Sequence, residues 1–299
     1  MEKKINYSFI IPHKNCPDLL QRCVDSIPQR NDIQIIVVDD NSAEDKKPNL
    51  GRKDVEVILL DAEHSKGAGR ARNVGLEHAK GKWLLFADAD DYYSDNLEAL
   101  LENYIDDDCT DIVYLNAYAF DENDNPRFCK TDRLIRDYLE GKNYSEMHLR
   151  YNMWTPWSRM VKRYVVEDNC LRFDEIPAGN DFVFGLNCSR FSKIIQVEPS
   201  IIYKYFKPSK GSVTDKARIR SKKMRLDLRG RGIVIRRAVG YRYASSYTDL
   251  FLTFVRREGM SKCFAFKYCK LYLDKYNISL TSDLWQYVVN KIHSLSNKK

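Results

Sequence analysis

The sequence predicts a doubly wound α/β fold over residues 1–214 and a basic helical region over residues 215–299 of this 299-residue chain. Short β-branched runs recur along the first part, and helical patterns separate several of them. Strands that alternate with helices pair in parallel through right-handed crossovers. After Asp215 the sequence becomes basic and helical. We therefore expect one mostly parallel sheet flanked by helices, followed by a helical C-terminal appendage.

Five apolar runs are the predicted strands, and they cover residues 7–11, 33–38, 55–60, 83–86 and 111–115. Two helices are predicted from apolar residues at helical spacing, one over residues 19–27 and one over residues 97–105. The strands are apolar almost without interruption, which predicts a sheet covered on both faces. The polar and charged residues 121–141 predict a loop.

Composition narrows the class of protein. Hydrophobic residues make up 43% of the chain, which is ample for a sizeable core. No apolar run reaches the roughly 18 to 20 residues of a membrane-spanning helix, so we expect a cytoplasmic protein, free or peripheral at the inner face of the plasma membrane. The eight cysteines lack a Cys-x-x-Cys pair and the five histidines are dispersed, so neither a disulfide framework nor a zinc site is predicted.

Charge is divided unevenly along the chain. Residues 216–299 hold 20 lysines and arginines against five aspartates and glutamates, whereas the preceding residues are net acidic. The acidic first part argues against nucleic-acid binding. Two interpretations of the basic region stay open: a solvated appendage packed over the main domain, or peripheral contact with an anionic membrane through basic residues interleaved with Phe, Tyr and Trp.

Two predicted strands run directly into acidic motifs, residues 39–42 (Asp-Asp-Asn-Ser) and 88–91 (Asp-Ala-Asp-Asp). Ligands bind beyond the carboxyl ends of the strands in such sheets. Three carboxylates in the second motif repel one another, and a divalent cation such as Mg²⁺ or Mn²⁺ would offset that repulsion. The alternative is a solvated acidic turn before a helix near Asp95. In the first motif a carboxylate could accept hydrogen bonds from a base or ribose, although the motif taken singly is a common turn.

A glycine-containing loop, residues 64–75, follows the third strand and opens a helix. Its glycines allow close backbone approach to a ligand, and Arg70 or Arg72 could neutralise phosphate at the helix N-terminus. The interval from Gly67 and Gly69 to the third glycine does not fit a dinucleotide-binding turn, which argues against a dehydrogenase.

Four ordered blocks together resemble a known family. They are residues 8–12 (Ser-Phe-Ile-Ile-Pro), 36–42 (Ile-Val-Val-Asp-Asp-Asn-Ser), 69–81 (Gly-x-Ala-Arg-Asn-x-Gly-Leu-x-x-Ala-x-Gly) and 86–91 (Phe-x-Asp-Ala-Asp-Asp). Their order and spacing are similar to those of the bacterial inverting family-two glycosyltransferases of the GT-A fold. Later blocks extend the likeness more thinly, at residues 154–159, 180–184, 203–205 and 211–214.

The resemblance implies a metal-dependent enzyme that moves a hexosyl or N-acetylhexosaminyl group from a nucleotide-diphosphate sugar to an acceptor hydroxyl. It implies Mn²⁺ or Mg²⁺ as cofactor, a UDP-sugar as the favoured donor, and a saccharide or lipid-linked saccharide as acceptor, in cell-surface polysaccharide or glycolipid synthesis. The resemblance places Pro12 and Lys14 at the base pocket, assigns Asp40 to the nucleoside, and makes Asp88 and Asp90 the diphosphate and metal motif. Arg72 or Lys66 of the glycine-containing loop could assist by stabilising charge on the leaving diphosphate.

The acceptor side is implied by the same resemblance. Asp181 corresponds to the expected catalytic base, and Asn180 departs from the Glu that many relatives carry before it. Asp181 would otherwise be interpreted as a helix N-cap. Trp154 and Trp157 are candidates for stacking on a sugar, with core packing an equal alternative. Lys14 departs from the common aromatic of the base pocket.

Two other functions compete with transfer of a sugar. A nucleotidyltransferase would also need clustered carboxylates and a divalent ion, but it should carry a glycine-rich basic loop after the first strand, and residues 12–18 contain no glycine. A catalytically silent sugar-nucleotide-binding protein is slightly favoured by Asn180, yet it would not need Asp181 or the acidic cluster.

Overall fold

The computed structural model describes residues 4–142, 146–208, 222–241 and 245–296, with side chains as far as residue 291. The chain divides into two compact units, Met1–Ser212 and Val213–Lys299. The predicted block at residues 211–214 and the predicted boundary after residue 214 lie outside the described residues.

The first half of the first unit is a parallel βα arrangement. Its elements are β1 (Tyr7–His13), α1 (Pro17–Asp25), β2 (Ile33–Asp39), β3 (Val55–Leu59), α2 (Ala68–His78) and β4 (Trp83–Phe86). The strands pair in the order β3-β2-β1-β4, and all three pairings are parallel. The carboxyl ends of β1, β2 and β4 therefore meet at one edge of the sheet.

The second half of this unit completes the sheet with mixed pairing. Its elements are β5 (Tyr92–Tyr93), α3 (Asn96–Asn103), β6 (Ile112–Phe120), β7 (Pro126–Arg127), α4 (Lys130–Leu139), α5 (Glu146–Asn152), β8 (Arg159–Lys162), α6 (Arg163–Glu167), α7 (Phe182–Phe191) and β9 (Ile195–Phe206). Strand β8 runs antiparallel to both β4 and β6, whereas β9 runs parallel to β6 and antiparallel to β5. The predicted α/β class is confirmed.

Alternate residues of the central strands enter two separate apolar layers. Phe9 and Ile11 pack with helices α1 and α3 on one face, while Ile10 packs with α2 on the other. Helix α2 approaches β1 so closely that a Cβ on Gly75 would lie 2.4 Å from Cγ2 of Ile10. This contact positions the N-terminus of α2, and with it Arg72, at the acidic edge of the sheet.

Two local predictions were wrong. Residues 130–139 form α4 instead of a loop, because Leu134 and Ile135 share a buried face that holds the helix against the sheet. Strand β3 is not covered on both faces: it lies at the end of the sheet, and Val57 and Leu59 are 41% and 54% exposed. An apolar run alone does not distinguish a central strand from an edge strand.

The second unit is helical in its described residues, as predicted. It comprises α8 (Lys222–Ala238), α9 (Tyr247–Arg256), α10 (Lys262–Lys275) and α11 (Leu280–Ser296). Ser246 and Ser261 cap α9 and α10 by accepting from backbone N–H groups of their first turns. The buried core of this unit includes Leu226, Ile233 and Phe254. Among the described helices of the chain, none is long and apolar enough to cross a membrane.

Candidate active site

A buried histidine organises the loops after β1 and β2. His13 and Asp39 face each other in the strand register, and Nδ1 of His13 lies 2.7 Å from Oδ1 of Asp39. The backbone N–H of Cys16 donates to Nε2 of His13, so Nδ1 carries the proton and donates to Asp39. Asp39 also accepts from the backbone and hydroxyl of Ser42. Both carboxylate oxygens of Asp39 thus take part in hydrogen bonds that hold the loops together. Asp40 is therefore the carboxylate of this motif that can bind a ligand.

Asp40 connects the end of β2 to the loop before α2. Its Oδ1 accepts from the backbone N–H of Gly67 at 3.1 Å, and its carbonyl oxygen accepts from the hydroxyl of Ser65 at 3.1 Å. Lys14 donates to the carbonyl oxygen of Asp40 at 2.9 Å and to Oδ2 at 3.2 Å. The Asp40 side chain is 6% exposed whereas that of Lys14 is 51% exposed, so Lys14 presents the outer surface of this pair. Pro12, the second-last residue of β1, is half-buried.

The motif after β4 separates its three carboxylates. Asp91 points inward and accepts from the hydroxyl of Tyr203 at 2.8 Å and the backbone N–H of Phe206 at 2.7 Å. The same Tyr203 hydroxyl accepts from the backbone N–H of Asp88 at 2.9 Å. Asp91 therefore anchors the motif to β9. Asp88 remains partly exposed and Asp90 is exposed, so these two are the carboxylates that face a ligand.

The surroundings of Asp90 shift the pKa of its carboxyl group. Burial of its carboxyl group and then the negative charge of Asp88 raise the pKa of Asp90 to about 6. The residue as a whole is exposed to solvent, which screens part of this effect. Within the described residues, no group of three or more His, Cys, Asp or Glu side chains is arranged to hold a metal ion. Asp88 and Asp90 nevertheless provide two solvent-accessible carboxylates. Mg²⁺ is commonly bound by one or two carboxylates together with substrate phosphates.

Arg72 joins the acidic motif to a distant loop. Its side chain is 6% exposed; Nη2 donates to Oδ1 of Asp88, and Nη1 donates to Oδ1 of Asn180 at 2.9 Å. The guanidinium group lies over the ring of Phe173, 5.4 Å from the centroid. These contacts place the loop before α7, which ends at Asp181, beside the carboxyl end of β4.

Asp181 stands at the start of α7 but does not cap it. Its side chain accepts no hydrogen bond from the first turn of the helix, although the residue occupies the N-cap position. Burial raises the pKa of Asp181, the charge of Arg72 opposes this rise, and the charge of Asp88 adds to it. The charges of Arg72 and Asp88 thus both act on Asp181, and its carboxylate is not used to cap the helix.

The two tryptophans have different environments. Trp157 is 6% exposed and stacks on Tyr203 with ring centroids 5.0 Å apart, so it is a core residue and this placement does not support the predicted role in acceptor stacking. Trp154 is half-buried. Its ring packs edge-to-face with that of Phe182, with the ring centroids 5.2 Å apart, and the ammonium of Lys130 lies 3.9 Å from its ring centroid. Trp154 is thus next to the start of α7.

Among the residues predicted to bind the donor, Lys66 pairs with a carboxylate outside the two acidic motifs. Its ammonium is 3.5 Å from Oε2 of Glu175, and Oε1 of Glu175 is 3.6 Å from Nη1 of Arg70. Sequence reasoning missed Glu175 because no motif surrounds it. It also missed Arg22 of α1, which donates to the carbonyl oxygen of Asp90 at 2.7 Å.

Comparison with known proteins shows similarity to glycosyltransferases in both sequence and fold. The family model described as glycosyl transferase family 2 matches residues 8–167. The chain is 24% identical over 207 residues to the uncharacterized glycosyltransferase EpsJ of Bacillus subtilis (66% of this chain, 60% of EpsJ). It is 37% identical over 89 residues to the Escherichia coli UDP-Glc:alpha-D-GlcNAc-diphosphoundecaprenol beta-1,3-glucosyltransferase WfaP (29% of this chain, 36% of WfaP). The matches thus span less than two thirds of the length of either relative.

Two solved structures share the fold. Staphylococcus aureus TarS 1–349 in complex with UDP-GlcNAc superimposes with a TM-score of 0.61 and 18% identity, covering 93% of this chain and 74% of that one. The mannosyltransferase PcManGT of Pyrobaculum calidifontis, in complex with GDP-Man and Mn²⁺, gives a TM-score of 0.54 and 14% identity, covering 99% of this chain and 88% of that one. At these identities the likeness establishes the fold alone.

Proposed function

The chain belongs to glycosyl transferase family 2, and from this membership we propose that it transfers a sugar from a nucleotide-diphosphate sugar to an acceptor hydroxyl. The observation that carries the proposal is the double contact of Arg72 with Asp88 and Asn180, which brings the acidic motif after β4 to the loop that ends at Asp181. Transfer requires the leaving diphosphate and a proton acceptor to be held in one cleft with the reacting atoms aligned. The arrangement offers a group for each task.

On the nucleoside side we assign Asp40, Lys14 and Pro12. Asp40 is buried and oriented by the backbone N–H of Gly67, so its carboxylate is fixed in position to accept hydrogen bonds from a base or ribose. Lys14 stands where family resemblance leads us to expect an aromatic ring. The nucleoside would therefore meet an ammonium group beside Asp40 in place of a ring face.

On the diphosphate side we assign Asp88 and Asp90, together with a divalent cation. Oxygen ligands suit Mg²⁺ or Mn²⁺, and the repulsion between these two carboxylates is of the kind that a cation relieves. When bound, the cation neutralises charge that develops on the leaving diphosphate. Arg72, already in contact with Asp88, adds fixed positive charge there. Lys66 is assigned to the diphosphate from its place in the loop before α2 alone, because its ammonium pairs with Glu175.

On the acceptor side we assign Asp181 as the general base. A carboxylate whose pKa is raised by burial is a better proton acceptor near neutral pH than a solvated one, and the pKa of Asp181 is raised in this way. Deprotonation of the acceptor hydroxyl would let its oxygen attack the anomeric carbon in line with the leaving diphosphate. One such displacement inverts the configuration and needs no covalent enzyme intermediate. Trp154, near the start of α7, is assigned to the acceptor.

The relatives support a particular choice of substrates. The TarS structure was solved in complex with UDP-GlcNAc, and WfaP is named for transfer from UDP-Glc to a diphosphoundecaprenol-linked sugar. We therefore propose a UDP-hexose or UDP-N-acetylhexosamine as donor and a saccharide or lipid-linked saccharide as acceptor, in polysaccharide or glycolipid synthesis. The Mn²⁺ in the PcManGT complex supports a divalent cofactor.

The test compares donor binding with transfer in Asp181→Asn. Asparagine keeps the shape of the side chain but cannot accept the proton, so transfer should fall by about 10²- to 10⁴-fold. Thermal stabilisation by the UDP-sugar with Mn²⁺ should stay at the wild-type value, because Asp181 is assigned to the acceptor. Screening UDP-, GDP- and dTDP-sugars in the same assay identifies the nucleotide.

Three results would contradict the proposal. Unchanged transfer by Asp181→Asn would remove the base assignment. Binding of UDP-sugars without transfer or donor hydrolysis by the wild-type protein would favour a silent binding protein. Release of pyrophosphate from a nucleoside triphosphate would favour a nucleotidyltransferase.

A further inference from the structure

Helix α11 presents an apolar face to solvent. Leu280, Leu284, Trp285 and Val288 are 56%, 44%, 69% and 42% exposed. At about 100° per residue, these four positions fall within an arc of about 140° on one side of the helix. A helix of a globular protein normally buries such a face, so the orientation of α11 is the reverse of the usual one.

A buried carboxylate holds α11 in this orientation. Asp283 is fully buried outside this arc, about 130° from its centre, and accepts from Nη2 of Arg237 at 2.5 Å. It also accepts from the backbone N–H groups of Tyr247 and Thr248, at 2.9 and 2.8 Å, and from the Thr248 hydroxyl at 2.7 Å. Charge-assisted hydrogen bonds of this kind are strong and directional. The outward direction of the apolar face is therefore built into the packing of α9 and α11.

The charge of the surrounding region indicates what covers this face. Residues 216–299 carry 20 lysines and arginines against five aspartates and glutamates. Exposed lysines on α10, the helix that precedes α11 in the chain, include Lys267, Lys270 and Lys275. A symmetric contact with a second copy would set two basic surfaces against each other, which is unfavourable. An anionic lipid surface complements both the charge and the apolar stripe.

We propose that the face of α11 formed by Leu280, Leu284, Trp285 and Val288 binds the surface of an anionic phospholipid bilayer. The helix lies on the bilayer: among the described residues no helix is long and apolar enough to span one. Tryptophan favours the boundary between acyl chains and headgroups, and Trp285 is the most exposed large apolar residue of the face. The membrane contact itself does not depend on the proposed function. Its role does, since the contact would bring the enzyme to a lipid-linked acceptor.

The experiment is co-sedimentation of the full chain with vesicles in the absence of nucleotide. Wild-type protein should bind vesicles of phosphatidylglycerol and phosphatidylcholine, bind much less to phosphatidylcholine alone, and lose binding as salt rises. Leu284→Gln combined with Trp285→Gln should weaken binding at least about tenfold, which corresponds to about 1.4 kcal/mol. Phe128→Gln combined with Leu139→Gln is the matched control, because these residues of the first unit are also exposed, at 64% and 52%.

Several outcomes would overturn this inference. They are equal binding to neutral and anionic vesicles, an unaffected α11 variant, or an equal loss in the control. A wild-type dimer that the α11 variant converts to a monomer, measured by light scattering, would show that a second copy covers the face. Retained UDP-sugar binding in the α11 variant would separate a failure here from a failure of the proposed function.

Discussion

Replacing Asp90 with asparagine should stabilise the ligand-free protein at pH 8 and remove its response to divalent cations. Burial and the charge of Asp88 raise the pKa of Asp90 from 3.8 to about 6. The folded state therefore binds this proton more tightly than the unfolded chain. Ionised Asp90 costs stability, and the cost grows as pH rises from about 4 through about 6.

The size of the expected gain in unfolding free energy follows from the shift in the pKa of Asp90. One pKa unit corresponds to about 1.4 kcal/mol, so the shift sets an upper limit of about 3 kcal/mol at pH 8. Asp90 is exposed, and solvent screening reduces the expected gain to about 1 kcal/mol. The gain should be smaller at pH 5, where Asp90 of the folded wild-type protein is largely protonated.

The assay is urea unfolding in EDTA at pH 5 and pH 8, repeated with Mn²⁺ and a UDP-sugar. Asp124→Asn is the control, because this exposed residue has a positive φ of 57° that asparagine tolerates. With Mn²⁺ and donor, the wild-type protein should gain stability and Asp90→Asn should not. Equal stability of the wild-type protein and the Asp90→Asn variant at pH 8 would refute the electrostatic argument. Donor stabilisation that survives in the variant would refute the metal assignment.

Two further substitutions test the geometry of the site. Gly185→Ala would place a Cβ 2.0 Å from the carbonyl oxygen of Trp154, so urea unfolding should show a loss of at least about 3 kcal/mol, whereas Gly51→Ala, which meets nothing within 4 Å, should change stability by less than about 0.5 kcal/mol. A tolerated Gly185→Ala would mean that α7 is less tightly packed than described. Arg72→Lys keeps the positive charge, but a lysine ammonium cannot reproduce the two guanidinium hydrogen bonds to Asp88 and Asn180. The affinity for UDP in the presence of Mn²⁺, measured by calorimetry, should therefore fall about tenfold. An unchanged affinity would exclude Arg72 from the diphosphate side.

The parallel half of the sheet could be predicted from local patterns. Strands β1, β2 and β4 are continuous apolar runs, and two of them run directly into acidic motifs. Parallel pairing brings such strand ends to one edge, so the meeting of the two motifs followed from topology alone. The insertion of β8 between β4 and β6 was not predictable, because antiparallel pairing with β4 joins residues more than 70 positions apart and depends on no local pattern.

The roles of individual carboxylates could be predicted only in part. The residues of the motif after β2 leave both of its aspartates as candidates, and the family resemblance selects Asp40. Only the structure shows that Asp39 is paired with His13. The resemblance marks Asn180 as a departure from a Glu, but nothing local pairs it with Arg72, 108 positions earlier. Side-chain hydrogen bonds between distant loops leave no periodic trace in the sequence.

By itself, the sequence determined the strands β1 to β4 and the helices α1 and α2 between them, the positions of the acidic motifs and the excess of positive charge near the C-terminus, because periodicity and composition are local properties. Only the tertiary structure decided that Asp91 points inward to Tyr203 while Asp88 and Asp90 remain open. It also decided that α11 turns its apolar side outward, because Asp283 finds its partners inside the helical unit. Both outcomes depend on which buried polar group is satisfied, and long-range packing settles that question.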